Sequence, residues 1–365
     1  MPSGALPPCR WTPSPVVHTA EIKPYIPGQP LRFCPDDYAT GVTGVTDGMD
    51  TLHVVAVISN PVRYESRIRL AREFIARMLA TPSVALTVVE HAFGDRPFEL
   101  MDQPGVRFVR VRGDHLSELW IKESLVRLGV QALPADWKYL AWVDADLKFL
   151  RKDWAIETIH AFQHYAVVQP WSHSVYLGPQ QQIIANEGGR EVDKSYCATW
   201  EDGDLDARDD PEGYTTKREV RSHYGFAWAI RRETYSRIGG LLDFLVTGTA
   251  DYHMALAFAG RIHYDSRLSP GYLRRLKTFQ VLCDCHVDTN IGCVRGTIAH
   301  GWHGRKKQRA YISRFKILTD SSFDPDHDLV MDWQGIPVLS GNNPILRDGL
   351  RRYFRARNED SVDTE

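Results

Sequence analysis

Two acidic residues, Asp144 and Asp146, stand one alanine apart where the apolar run Tyr139-Leu-Ala-Trp-Val143 ends. Residues two apart on a strand point the same way, so a buried strand here delivers two carboxylates to its C-terminal end, within reach of one cation. Oxygen ligands suit a hard divalent ion such as Mg²⁺ or Mn²⁺, and a site with few carboxylates leaves positions open for the oxygens of a diphosphate. Such an ion is a Lewis acid that neutralises charge on a departing nucleoside diphosphate. The plainer alternative is a polar turn whose aspartates cap the next helix.

Other residues bear on that choice. Asp251 opens a helix after the Gly239-Gly240 turn and Gly248; there a carboxylate serves either as a cap favoured by the helix dipole or as a general base for an acceptor hydroxyl. His300 and His303 lie between glycines beside Trp302, and one imidazole, His303 ahead of His300, would complete a two-aspartate metal site. Ser59, Asn60 and Pro61 follow a first strand and Glu90 ends a second, where an open α/β sheet binds a nucleotide; ordinary turn chemistry explains them equally simply. His115 and Lys122 flank a helix before the aspartates and either reach phosphates or sit in solvent. Basic runs at 272–277, 305–309 and 347–357 are either a solvated face or phosphate ligands.

Those side chains need a scaffold, and the chain supplies one. Its 365 residues, 43% of them hydrophobic, can bury a sizeable core. A formal charge of -2 gives no global attraction to polyanions, which leaves only local patches. The Pro-rich start lacks a signal pattern and no run reaches membrane-spanning length, so the expectation is a soluble intracellular protein. Six cysteines form no disulfide framework, and Cys283-Asp-Cys-His286 with Cys293 fits no common zinc spacing.

Three regions are expected: an irregular arm over 1–50, an α/β domain over 51–318, and a C-terminal extension over 319–365 with an arginine-rich tail. Within the domain the spacing predicts strands at 52–58, 85–90, 106–111, 139–146, 166–171 and 223–233, and helices over 65–79, 116–128, 154–164 and from Asp251 to Ala259. Strands alternating with helices imply a largely parallel sheet flanked by helices. The acidic stretch 201–212 reads as a solvated, mobile loop.

Asp144-Ala-Asp146, the later Gly225-Phe-Ala-Trp-Ala-Ile through Gly239-Gly240, the Asp251 segment and His300-Gly-Trp-His303 together resemble GT-A fold glycosyltransferases, over roughly residues 52–318. The resemblance implies a Rossmann-like fold, with Asp144 and Asp146 holding Mn²⁺ and the diphosphate of a nucleotide sugar. It further implies Asp251 as the base of an inverting reaction and His303 as an added metal ligand. More narrowly, Asn60-Pro-Val-Arg-Tyr64, Glu90 to Phe98, and Trp302-His-Gly304 leading into Arg309 to Leu318 resemble the group that includes base J glucosyltransferases. That implies UDP-glucose as donor, the hydroxymethyl group of hydroxymethyluracil in DNA as acceptor, and a nuclear or viral-host setting. An acceptor base must leave the duplex, which makes Trp228, Tyr252 and Trp302 candidate stacking surfaces, with wall or core packing as the alternative. The rival readings are the same chemistry on a protein, glycan or small molecule, and a catalytically silent nucleotide- or DNA-binding module.

Overall fold

A near-continuous apolar run forms β1 (Leu52–Ser59), and the Asn60–Tyr64 turn sends the chain into α1 (Glu65–Leu79) and back as β2 (Val84–Phe93), parallel to β1. This computed structural model describes residues 50–186, 189–203, 222–310 and 314–363, all within one compact unit, 33–365. The arm 1–49 and most of the acidic stretch, 204–212, lie outside the described residues. β3 (Val106–Gly113) adds parallel to β2, α2 (Lys122–Gln131) crosses back, and β4 (Tyr139–Val143) pairs parallel to the other side of β1. Next come β5 (Leu147–Phe149), α3 (Trp154–Ala161), β6 (Val167–Gln169), β7 (His173–Leu177), β8 (Ile183–Ile184), β9 (Val192–Ser195), α4 (Tyr196–Glu201), β10 (Ser222–His223) and β11 (Ala227–Arg231). The rest is α5 (Arg232–Arg237), α6 (Ala250–Phe258), α7 (Pro270–His286), β12 (Ile291–Cys293), β13 (Thr297–His300), α8 (Phe315–Asp320), α9 (Pro325–Asp328), β14 (Leu329–Met331), β15 (Pro337–Leu339) and α10 (Pro344–Ala356).

The main sheet runs β12-β6-β11-β4-β1-β2-β3, and a second sheet runs β10-β9-β7-β13-β5 with β8 on β7. Alternate residues of β1 and β4 feed opposite layers. Val55, Leu140 and Trp142 face a core shared with α2, α6 and α7, while Val54, Ala56, Ala141 and Val143 face one shared with α1 and α3. A sheet covered on both faces needs apolar residues at both parities, which is why these strands do not alternate. The α/β class with a mostly parallel sheet is therefore observed, and it is consistent with the GT-A arrangement that the resemblance implies.

Several expectations are corrected. The strand expected to end on Asp144 and Asp146 stops before them: β4 ends at Val143, and β5 belongs to the second sheet, so Asp144 and Asp146 sit in the turn between sheets. β11 is antiparallel to both β4 and β6. The chain returns from β10 at the carboxyl end of β4, where Asp144 N donates to Phe226 O at 2.8 Å, so it must run back down the sheet. The helix expected over 116–128 starts at Lys122, because Asp114 and Ser117 form a turn ahead of it. The run 272–277 lies inside the long helix α7, capped by Ser269 with Pro270 in its first turn, both start signals that the basic reading passed over. Leu346 and Leu350 of α10 join the α2 side of the core, so the C-terminal extension packs with the rest.

Candidate active site

A cavity of about 390 Å³ opens at the carboxyl ends of β1 and β4, where ligands collect in such sheets. Ser59, Asn60, Pro61, Lys122, Asp144, Asp146, Asp251, Tyr252, His300 and His303 all line it. Cationic side chains outnumber carboxylates on its wall: Arg67, Lys122, Arg190, Lys306, Arg309, Arg314 and Arg357 against Asp144, Asp146, Asp193, Asp251 and Glu359.

The corner whose side chains could hold a metal differs from the two-aspartate arrangement. Asp146 Oδ2 stands 3.0 Å from His303 Nε2 and 3.5 Å from His300 Nε2, and the two Nε2 atoms are 3.3 Å apart. Ligands about 2.1 Å from one ion lie about 3.0 to 3.4 Å from each other at octahedral or tetrahedral angles, so these three atoms are spaced as ligands of one ion would be. Asp146 Oδ1 is buried and takes no hydrogen bond from any described residue. Burial would raise the Asp146 carboxyl, but its contacts with His300 and His303 more than offset this and hold it well below the usual range. Burial pushes His300 down to about 4 against the pull of Asp146. An ionised carboxylate beside a neutral imidazole is the protonation state a cation requires. The donor set fits a divalent ion, and with two nitrogens it suits Mn²⁺ better than Mg²⁺, which prefers oxygen. Both histidines join Asp146, where the sequence reading placed one.

Asp144 turns the other way. Its Oδ1 accepts from Lys122 Nζ at 3.0 Å, and the same ammonium donates to both oxygens of Asp251 at 3.1 Å. Burial pushes the Asp144 carboxyl up to about 6 despite Lys122, and the charges of Asp251 and Asp146 add to the rise. Burial works against the Lys122 charge, but Asp144 and Asp251 prevail and hold the ammonium well above the lysine range. Asp251 sits in the first turn of α6 and closes on Gly225, where a Cβ would come within 2.9 Å of its Oδ2. Glycine there leaves room for the carboxylate.

Behind this trio lies Glu123, whose buried Oε1 is 4.0 Å from Lys122 Nζ and takes no hydrogen bond from a described residue. Burial pushes it up to about 8, against Lys122. The folded chain thus holds a proton that the unfolded chain releases near 4.5. Since the folded state binds the extra proton, stability falls as pH rises through that window. Wild-type protein will therefore lose more of its melting temperature between pH 5 and pH 8 than Glu123→Gln will; parallel melting curves for the two would remove the buried acid from this role.

Other candidates sit elsewhere. Glu90 is buried off the cavity, where it pairs with Arg110 and accepts from the backbone N–H groups of Glu99 and Leu100. It holds the 99–100 segment against β2 and is not presented to a nucleotide. Asn60 borders the cavity, but its amide closes a turn, with Oδ1 accepting from Tyr64 N and Nδ2 donating to Tyr64 O, both at 2.9 Å. His115 is exposed and off the wall. Trp228 is fully buried against Phe258, and Trp302 is buried with its Nε1–H on Ser361 O, so of the three aromatic candidates Tyr252 alone lines the cavity. Two basic runs supply wall residues, Lys306 and Arg309 from one and Arg357 from the other; Arg274 and Arg275 instead pair with Asp326.

Sequence reasoning missed Glu359, Arg67, Asp193 and Tyr176. Tyr176 donates to Asp193 Oδ2 at 3.0 Å and receives Lys306 Nζ both at its hydroxyl, 3.1 Å, and over its ring. None of these four stands in a motif; Arg67, Asp193 and Glu359 become visible on the cavity wall, and Tyr176 through its bonds to the wall residues Asp193 and Lys306.

No family model matches the chain, and no curated protein matches it. Solved structures resemble it at low identity. The catalytic domain of Drosophila β1,4-galactosyltransferase 7, solved with xylobiose, is 12% identical over 82% of this chain and 99% of its own, with a TM-score of 0.32. Glucosyl-3-phosphoglycerate synthase from Mycobacterium tuberculosis, solved with Mn²⁺, UDP and phosphoglyceric acid, is 15% identical over 75% of this chain and 76% of its own, with a TM-score of 0.36. A mannosyltransferase from Pyrobaculum calidifontis in complex with GDP-Man and Mn²⁺ is 12% identical over 84% and 70%, with a TM-score of 0.38. Likeness at this level carries no argument about what this chain binds. No helix among the described residues is long and apolar enough to cross a membrane.

Proposed function

We propose that the chain is a metal-dependent, inverting glycosyltransferase that moves glucose from UDP-glucose to the hydroxymethyl group of 5-hydroxymethyluracil in DNA. The observation that carries the transferase reading is the meeting, in one cation-rich cavity, of Asp146, His300 and His303 with a separate carboxylate, Asp251, held by Lys122. A divalent ion held by the first three supplies Lewis acidity toward a diphosphate. The protein does the rest. Lys122, Arg309 and Arg314 offer positive charge to the phosphates, and Asp251 accepts the acceptor's hydroxyl proton as its oxygen bonds to the anomeric carbon. The bond from that carbon to the diphosphate oxygen breaks, UDP leaves with the electron pair, and the configuration inverts.

The DNA acceptor rests on the motif resemblance and on the two basic runs that reach the cavity. Tyr252 on the wall offers an extruded base a face to stack on. The test incubates the protein with UDP-glucose, Mn²⁺ and a duplex containing hydroxymethyluracil, beside an unmodified duplex, and weighs the DNA by mass spectrometry. A hexose gained by the modified duplex alone is the expected result. Unchanged DNA with slow release of UDP would overturn the acceptor while keeping the donor chemistry, and an α-linked product would overturn inversion.

A further inference from the structure

The metal corner is closed by a segment far from it in sequence. Glu359 is 1% exposed, and its carboxylate receives the guanidinium groups of Arg67 and Arg357. Its Oε2 also stands 3.4 Å from His303 Nδ1, the ring nitrogen opposite the one that faces Asp146. Burial would raise this carboxyl, yet the two arginines and His303 hold it well below the usual range.

The residues around Glu359 are fastened on both sides. Asn358 N donates to Tyr64 Oη at 3.1 Å, Asp360 accepts from the backbone N–H groups of Glu65 and Ser66 at the start of α1, and Ser66 Oγ donates to Glu359 O at 3.0 Å. On the other side Trp302 Nε1 donates to Ser361 O at 2.7 Å and Arg305 Nε to Asp363 O at 3.0 Å. Gly304, at φ +80°, lies so close that a Cβ would come 2.7 Å from Asn358 O. The segment 358–363 therefore bridges α1 and the loop that carries His303.

We propose that this segment is a strap whose Glu359 orients the His303 imidazole for the divalent ion and sets the affinity of the site. The inference rests on the metal site of the proposed function. A carboxylate on the far nitrogen of a ligating histidine fixes its tautomer and ring plane and raises its basicity. Here Glu359 Oε2, 3.4 Å from an Nδ1 that makes no hydrogen bond to a described residue, is placed to draw the ring proton to Nδ1 and leave the Nε2 lone pair for the ion. The arginines serve a second purpose: they neutralise a carboxylate that could not otherwise stay ionised and buried.

The test titrates Mn²⁺ into the full chain by calorimetry, without nucleotide or acceptor, for wild type, Glu359→Gln, Arg67→Met and Asp146→Asn. Glu359→Gln is expected to bind Mn²⁺ about 10- to 100-fold more weakly, the usual cost of removing an outer-shell partner. Arg67→Met removes one arm of the clamp and leaves Arg357 to keep the carboxylate ionised beside His303, so its melting temperature should fall while its Mn²⁺ affinity stays within a few-fold of wild type. Wild-type affinity in Glu359→Gln, or equal weakening in both clamp variants, overturns the orienting role. Wild-type affinity in Asp146→Asn overturns the metal site itself, which keeps the two failures apart.

Discussion

Asp251→Asn is expected to lower the rate of sugar transfer about 10²- to 10⁴-fold, the range of a general base, with donor affinity nearly unchanged. The amide keeps the shape of the carboxylate and can still accept from Lys122, now 3.1 Å from both of its oxygens, so the fold and the phosphate-binding wall should survive. What it cannot do is take a proton from an attacking hydroxyl. The measurement is turnover with UDP-glucose and the hydroxymethyluracil duplex, alongside UDP binding by calorimetry. A variant that turns over at the wild-type rate would show Asp251 to be only the helix-start carboxylate it also is. A large loss of UDP binding would place its effect on the donor rather than on the proton.

The second large effect separates the two aspartates. Asp146→Asn should cost the site more than about 100-fold in Mn²⁺ affinity, since it removes a ligand where outer-shell changes already cost 10- to 100-fold, whereas Asp144→Asn should cost less than about tenfold in the absence of nucleotide. The reason is geometric. Asp146 faces both imidazoles, and Asp144 is held by Lys122. Transfer should fail in Asp146→Asn even at saturating donor. Equal loss of Mn²⁺ in the two variants would restore the symmetric pair that the sequence suggested.

That suggestion marks what the sequence could convey. The placing of Asp144 and Asp146 at the carboxyl end of a sheet strand was legible, as were the parallel core of the sheet and the convergence there of Lys122, Asp251, His300 and His303. Their partners were not. A one-residue spacing fixes direction only if both residues belong to one strand, and here the strand ends at Val143, so the turn aims the carboxylates apart. Glu90 looked unpartnered because its partner, Arg110, lies on the next strand over. Glu359 could not be found at all, because what gives it a role is contact with Arg67 and His303, 292 and 56 residues away along the chain. The start of α7 was signalled by Ser269 and Pro270, but the basic residues that follow drew the reading toward a surface run.

The turn between the sheets also bears on how the molecule breathes. Asp144 is tied by its N–H to Phe226 O where β11 enters the main sheet, while Asp146 O accepts from Gly301 N at 2.8 Å, beside the β5–β13 pairing of the second sheet. The two aspartates are thus anchored in different sheets, and those sheets are free to open at different free energies. The three side chains proposed to hold the ion, Asp146, His300 and His303, all lie on the second-sheet side. Loading an ion is expected to slow hydrogen exchange at Gly301 and along β13 more than at Asp144, because one motif of three residues is tied into two different sheets.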